Sequence, residues 1–232
     1  MERIILIETS TALCSVALAE DGAVTAYRES SAAKAHASLT AVFVQGVLAE
    51  RGVTLADCGA VCVSMGPGSY TGLRVGVSTA KGLCFGANKP LLAVGTLDTL
   101  VAQAPFSSIE AEANDGYRYI VPMIDARRME VYAAVFENGK QITETAPAII
   151  DENSYVEYLE QGPVLFIGDG AGKCADVIKH PNAHFCQCHP KASSMLQPGL
   201  EAYRKQDFKD VAYFEPFYLK EFVATVSKKK LF

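Results

Sequence analysis

Residues Ala60–Gly86 constrain this chain more than any other stretch. They read AVCVSM, then GPGSYTG, then LRVGVSTAKGLCFG. Ala60–Met65 is a short apolar run of β-branched character, which reads as a buried strand. Gly66-Pro67-Gly68-Ser69 has to turn, because glycine reaches backbone angles closed to other residues and proline removes a donor. A helix follows from about Thr71 to Phe85, and Gly72, Gly76 and Ala80 stand four apart along one of its faces. Glycine costs about 1 kcal/mol relative to alanine inside a helix. A helix that tolerates this twice needs another backbone close along the stripe, from inside or outside the chain.

The spacing of the loop sorts its chemistry. A phosphate-cradling loop needs Lys and Ser/Thr straight after the last glycine of G-x-x-x-x-G, but Gly72 is followed by Leu73 and Arg74. A dinucleotide fingerprint needs G-x-G-x-x-G, and Gly66, Gly68 and Gly72 leave one residue too many. Anion binding at the helix N-terminus stays open on general grounds. Close packing is the preferred reading.

A chain of 232 residues, 50% hydrophobic and 20% charged, has material for one large domain or two small ones. A net charge of −5 leaves no electrostatic footprint for nucleic acid, so any role with RNA is expected to come through a partner. The seven cysteines (14, 58, 62, 84, 174, 186 and 188) are odd in number and scattered through apolar strands. They read as reduced thiols of a cytoplasmic protein. The Ile4–Ile7 run is too short for a signal sequence or a membrane span, so no membrane partner is expected. Cys186-Gln187-Cys188-His189 is the one metal-like cluster, but it lacks a second pair at zinc spacing. It reads as a strand with two small side chains on one face, and no metal site is expected.

Taken in order, Arg3–Glu8 suits a central strand, Thr9-Ser10-Thr11 a polar turn, and Cys14–Ala19 a second strand. Asp21-Gly22 is a hairpin signal leading to a third strand, Ala23–Glu29. A helix from about Lys34 to Arg51 comes next, then the opening strand–loop–helix, a strand at Pro90–Val94 and a helix through Ala104. Pro105–Gly116 reads as a linker. The pattern then restarts: Tyr119–Ile124 ends at Asp125 as the first strand ends at Glu8. Met129–Phe136 and Gln141–Ile150 follow as strands, Glu152–Glu160 as a helix, Val164–Ile167 as a strand running into Gly168-Asp169-Gly170, and a helix lies near Ser193–Arg204. Two copies of one topology would enclose a cleft, with a first lobe at 1–105 and a second at 106–211. The segment from about 212 to 232 is expected to fold back on the first lobe.

Three segments carry a resemblance: MERIILIETSTALCSVALAEDG, SMGPGSYTGLRVGVSTAKGL and MIDARRMEVYAAVF. Together they resemble the TsaB (YeaZ) family, over most of residues 1–136 and weakly on to FEPFYLKEF at 214–222; GPGSYTGLR is the specific part. The resemblance implies an α/β, two-lobed acetate and sugar kinase/Hsp70/actin-like fold, with duplicated ribonuclease H-like β-β-β-α-β-α-β-α lobes. It also implies a noncatalytic partner of the TsaD-type catalytic subunit, which threonylcarbamoylates adenosine-37 of tRNAs reading codons that begin with A. A TsaE-type ATPase is a further implied partner, with a homodimer when the chain is alone. Contact with tRNA would come only through the complex, and ATP/ADP and Mg only in the assembly. The catalytic relative carries a His-x-x-x-His metal motif, whereas here His36 is followed by Ala37, Ser38, Leu39 and Thr40.

On this reading the first-lobe helices dock on a related subunit. The interface would comprise His36, Leu39, Phe43, Tyr70, Gly72, Leu73, Arg74, Gly76, Val77 and Ala80, with the glycine stripe admitting the partner helix. Glu8, Thr9, Ser10, Thr11, Asp125, Gly168 and Gly170 are the candidates for a weak nucleotide site. Glu8 stands where nucleotide-using members of the superfamily have Asp, and the turn after it lacks glycine. Arg127 and Arg128 are the only basic residues beside Asp125 that could clamp a phosphate. The alternative function is an ATP-dependent kinase or hydrolase working in the cleft through Glu8, Thr11, Asp125 and Gly168–Gly170. No Ser–His–Asp or Cys–His arrangement for a protease can be assigned.

Overall fold

A computed structural model describes residues 2–32, 35–104 and 116–220. The linker at 105–115 and the terminal Lys228–Lys230 lie outside the described residues. The first half runs β1 (Arg3–Glu8), β2 (Cys14–Glu20), β3 (Ala23–Ser30), α1 (Ala35–Glu50), β4 (Ala60–Gly66), α2 (Tyr70–Ala87), β5 (Leu91–Gly95) and α3 (Thr96–Gln103). The second half starts β6 (Tyr119–Asp125), β7 (Glu130–Ala133), β8 (Phe136–Glu137), β9 (Lys140–Gln141), β10 (Ala146–Ile149) and α4 (Val156–Leu159). It continues with β11 (Val164–Gly168), α5 (Ala171–Cys174), β12 (Ala183–Gln187), a 3-10 turn at Ala192–Met195 and α6 (Leu196–Arg204).

Each half forms a sheet of the same plan. The first has the order β3-β2-β1-β4-β5, antiparallel through β1 and parallel beyond it. The second has the order β10-β7-β6-β11-β12 with the same change of sense at β6, and the small β8–β9 pair attached to β6. The central strands are apolar on both sides, as strands covered on both faces must be. Ile5 and Ile7 of β1 face Val44 and Val47 of α1 and Val77 of α2, while Ile4 and Leu6 face the other way.

That other face corrects the expected lobe boundaries. Ala192, Met195 and Leu200 cover Ile4, Leu6, Cys62 and Leu92 of the first sheet, although they follow the second half in the chain. In return Leu97, Leu100 and Val101 of α3 cover Ile120, Ile124, Leu165 and Ile167 of the second sheet. The halves exchange their last helices, so residues 192–204 pack with the first sheet. An apolar stripe is satisfied by any apolar face in reach, and sequence order does not choose which. The return continues past α6: Lys209 N–H donates to Leu91 O (2.8 Å), Val211 and Phe214 pack on the first core, and Phe217 N–H donates to Met65 O (2.7 Å).

The second half also departs from its expected elements. The helix expected over Glu152–Glu160 is cut to the four residues of α4. An Asx turn precedes it, in which Asn153 N–H and Ser154 Oγ donate to Asp151 Oδ1, and Tyr155 then takes a left-handed φ of 63°. A side-chain acceptor competes with helical hydrogen bonding at this position, and the chain starts its helix one turn late.

Candidate functional site

The turn after β1 is held by a network of buried hydrogen bonds. Ser10 N–H donates to Glu8 Oε1 (2.6 Å), Ser64 Oγ donates to the same oxygen (2.9 Å), and Thr9 N–H donates to Ser64 Oγ (3.4 Å). Ser69 N–H reaches Ser10 O (2.6 Å) from the glycine-rich loop. Glu8 through Ser10 are fully buried and Thr11 nearly so. Burial pushes the Glu8 carboxyl up, against the opposing hydrogen bonds from Ser10 and Ser64.

The glycine stripe belongs to this turn, which corrects its reading as an opening for a partner helix. A Cβ on Gly68 would stand 2.4 Å from Ser10 O, one on Gly72 2.1 Å from Thr9 O, and one on Gly76 2.1 Å from Thr9 Oγ1. Helix α2 lies against the β1–β2 turn, and only glycine leaves room for that approach. Gly72, Leu73, Gly76, Val77 and Ala80 are all buried within the first lobe. His36 is likewise turned inward, its Nε2 2.8 Å from Thr11 O, and Leu39 and Phe43 are half-buried.

What α1 and α2 leave outside is a different set of small and apolar residues. Ala37, Ala41 and Val42 are exposed on α1, and Arg74, Ser78 and Phe85 on α2, with Phe85 86% exposed. Of these six, sequence reasoning placed only Arg74 at the interface and missed the other five. Ala37 and Ala41 stand four apart, as do Arg74 and Ser78, with Phe85 a further seven on, a one-face spacing that was the available signal. Of the expected interface residues, Arg74 remains exposed and Tyr70 half-exposed. The Arg74 guanidinium lies 4.6 Å from the Tyr70 ring centre, and Tyr70 packs on Tyr218 at 4.8 Å.

The second group of predicted residues gathers at the ends of β6 and β11. Asp125 N–H donates to Asp169 Oδ1 (2.9 Å), and Arg127 N–H donates to Asp125 Oδ1 (2.9 Å). Lys173, which sequence reasoning also missed, donates its Nζ to Asp125 Oδ1 and to the carbonyls of Arg128 and Glu130 (2.7 Å each). Burial raises the Asp169 carboxyl, helped by the neighbouring Asp125 charge and opposed by the Asp125 N–H. Gly168 and Gly170 serve packing here. A Cβ on Gly168 would lie 2.2 Å from Met123 O, and Gly170 N–H is already committed to that carbonyl (3.0 Å).

Glu8 Oε1 and Asp125 Oδ1 have partners inside the chain, whereas Glu8 Oε2, Thr9 Oγ1, Ser10 Oγ and Thr11 Oγ1 are buried without a hydrogen-bond partner. Among the described residues, no three His, Cys, Asp or Glu side chains are placed to hold a metal ion, and Cys186 and Cys188 are free thiols. No described helix is long and apolar enough to cross a membrane.

Comparison with known proteins agrees over nearly the whole length. The family model described as TsaD, tRNA N6-adenosine threonylcarbamoyltransferase, matches residues 29–227. The tRNA threonylcarbamoyladenosine biosynthesis protein TsaB of Escherichia coli (strain K12) is 33% identical over 230 residues, 96% of each chain. TsaB of Bacillus subtilis (strain 168) is 32% identical over 71% of this chain and 70% of its own. Over a shorter span, 29% of this chain and 20% of that one, the tRNA N6-adenosine threonylcarbamoyltransferase of Sphingopyxis alaskensis is 49% identical. Among solved structures, a Pseudomonas aeruginosa protein described as uncharacterized, with similarity to peptidase YeaZ, superposes with a TM-score of 0.79 at 27% identity, covering 95% of this chain and all of that one.

Proposed function

We infer the function from a premise the relatives supply: the chain belongs to the TsaB (YeaZ) family, within the wider family of the threonylcarbamoyltransferase TsaD. It is a partner subunit in tRNA threonylcarbamoyladenosine biosynthesis, and its partner is the TsaD-type catalytic subunit. The observation that supports a noncatalytic role is the internal commitment of one oxygen of each strand-end carboxylate, Glu8 Oε1 to Ser10 and Ser64 and Asp125 Oδ1 to Lys173. An enzyme keeps such groups available to substrate or metal. Nothing in the cleft favours the kinase or hydrolase reading.

The docking surface is the exposed side of α1 and α2, around Ala41, Val42, Ser78 and Phe85, with Arg74 and Tyr70 at its edge. Small residues let a partner helix approach closely, and the apolar ones supply the driving force. The same surface makes a homodimer when the chain is alone, because a two-fold interface is self-complementary. The TsaE-type ATPase, ATP/ADP with Mg, and tRNA join only in the assembled complex, in the cytoplasm.

Val42→Arg tests this reading. The variant is expected to fold as the parent does, to lose co-purification of the TsaD-type subunit from native cells, and to lower threonylcarbamoyladenosine in tRNA. Retention of the subunit at parental yield rejects the surface.

A further inference from the structure

The two halves share a plan but are not covered equally, and the difference leaves a recess. In the first half, Val16, Leu18 and Ala26 on β2 and β3 meet Val44, Val47 and Leu48 of the sixteen-residue α1. The corresponding layer of the second half has only the four-residue α4 over β7 and β10. A cavity of about 280 Å³ opens there. Its floor is Ala133, Ala146 and Ala148, its wall Tyr155 and Tyr158, and Glu144 and Glu157 line it as well. Tyr155 holds the left-handed backbone noted above, a conformation a bulky residue adopts only when its surroundings impose it.

The charged residues that line the recess, Glu144 and Glu157, are both acidic. From Gln141 to Gly168 the sequence contains no Lys, Arg or His, while Glu144, Asp151, Glu152, Glu157 and Glu160 fall within it. None of these five carboxylates is in an ion pair among the described residues. Size and edge chemistry narrow the occupant further. The volume lies just below the roughly 300–1,000 Å³ of small-molecule sites, which suits one or two inserted side chains. Strand addition at β10 is blunted: Ile150 N–H points inward to Met129 O, so the alternation turns Pro147 outward, where it has no N–H to offer.

We propose that this recess is a second docking site, one that takes a basic segment of a partner protein. An apolar or aromatic anchor of that segment enters between Ala148 and the two tyrosines, and flanking Lys or Arg side chains meet Glu144 and Glu157. The site lies on the second half, apart from the α1–α2 surface, and does not depend on that surface's assignment. An RNA phosphate backbone is repelled by the same carboxylates.

The test is a titration of the isotope-labelled full chain with two synthetic peptides. Both present Leu and Phe, one flanked by Lys and Arg, the other by Glu. The basic peptide is expected to shift the amide signals of Ala133, Ala148, Tyr155 and Tyr158. The acidic peptide is expected to leave them in place. The surface double variant Glu144→Lys/Glu157→Lys should weaken the basic peptide about tenfold or more, and Ala148→Trp, which fills the cavity, should abolish its binding. Equal response to both peptides, shifts confined to other regions, or unchanged affinity in the charge-reversed variant overturns the proposal. So does occupation of the recess by a second copy of the chain, seen as the same shifts on concentration without peptide.

Discussion

Glu8 and Asp125 end the first strands of the two sheets, at the same point of a shared plan, and the fold neutralises them in opposite ways. Glu8 is enclosed, its Oε1 held by a backbone N–H and a serine hydroxyl, and burial favours its protonated form. Asp125 stays half open to solvent and is paired with the Lys173 ammonium. The first lobe thus solves the problem by exclusion of water and the second by pairing. A group buried without a counter-charge depends on the packing around it, whereas an ion pair at the surface depends on its partner.

The comparison breaks most visibly in the first lobe. Gly76→Leu drives a side chain into Thr9 and is expected to destabilise the chain by about 3 kcal/mol or more, read as a lower denaturation midpoint. If it folds normally and fails only in partner binding, the stripe is a docking surface after all and the packing argument falls. Lys173→Met is the second-lobe counterpart. It leaves Asp125 and two carbonyls without their shared donor and should cost about 1–2 kcal/mol. The loss should show as faster hydrogen exchange at residues 126–131 and leave the β1–β2 turn untouched. Protection lost in both lobes alike would mean that the two sites are not independent.

Glu8→Gln sharpens the comparison with the smallest change. A carboxyl raised in the folded state binds its proton more tightly there than in the unfolded chain, so folding stability is highest at low pH and declines as pH rises above the unfolded value of about 4.3. Glutamine keeps an acceptor for Ser10 and Ser64 and removes the titration. Denaturation curves from pH 4 to 8 should therefore show a decline for the parent that the variant lacks. Parallel profiles would show that Glu8 folds in as a charged group.

Much of this was legible before any coordinates. The continuous apolar run in RIILIE, the alternation in CSVALA, the Asp21-Gly22 turn and the GPGS loop each state a local preference that the fold keeps. The need for a close backbone along Gly72 and Gly76 was equally readable. Its partner was not, because Thr9 lies more than sixty residues earlier in the chain. Lys173 was hidden for a similar reason: it reaches Asp125 across 48 positions from a one-turn helix with no periodicity to announce it.

By itself, then, the sequence determined which segments are strands and helices in the first half, that glycine was required on α2, and to which family the chain belongs. Those are properties of neighbouring residues and of motif spacing. Tertiary structure alone decided that the stripe faces inward, that α3 and α6 exchange sheets, and that Glu8 Oε1 and Asp125 Oδ1 each find a partner inside the chain. Apolar faces and charges find partners by proximity in space, and proximity between distant residues exists only once the chain has folded.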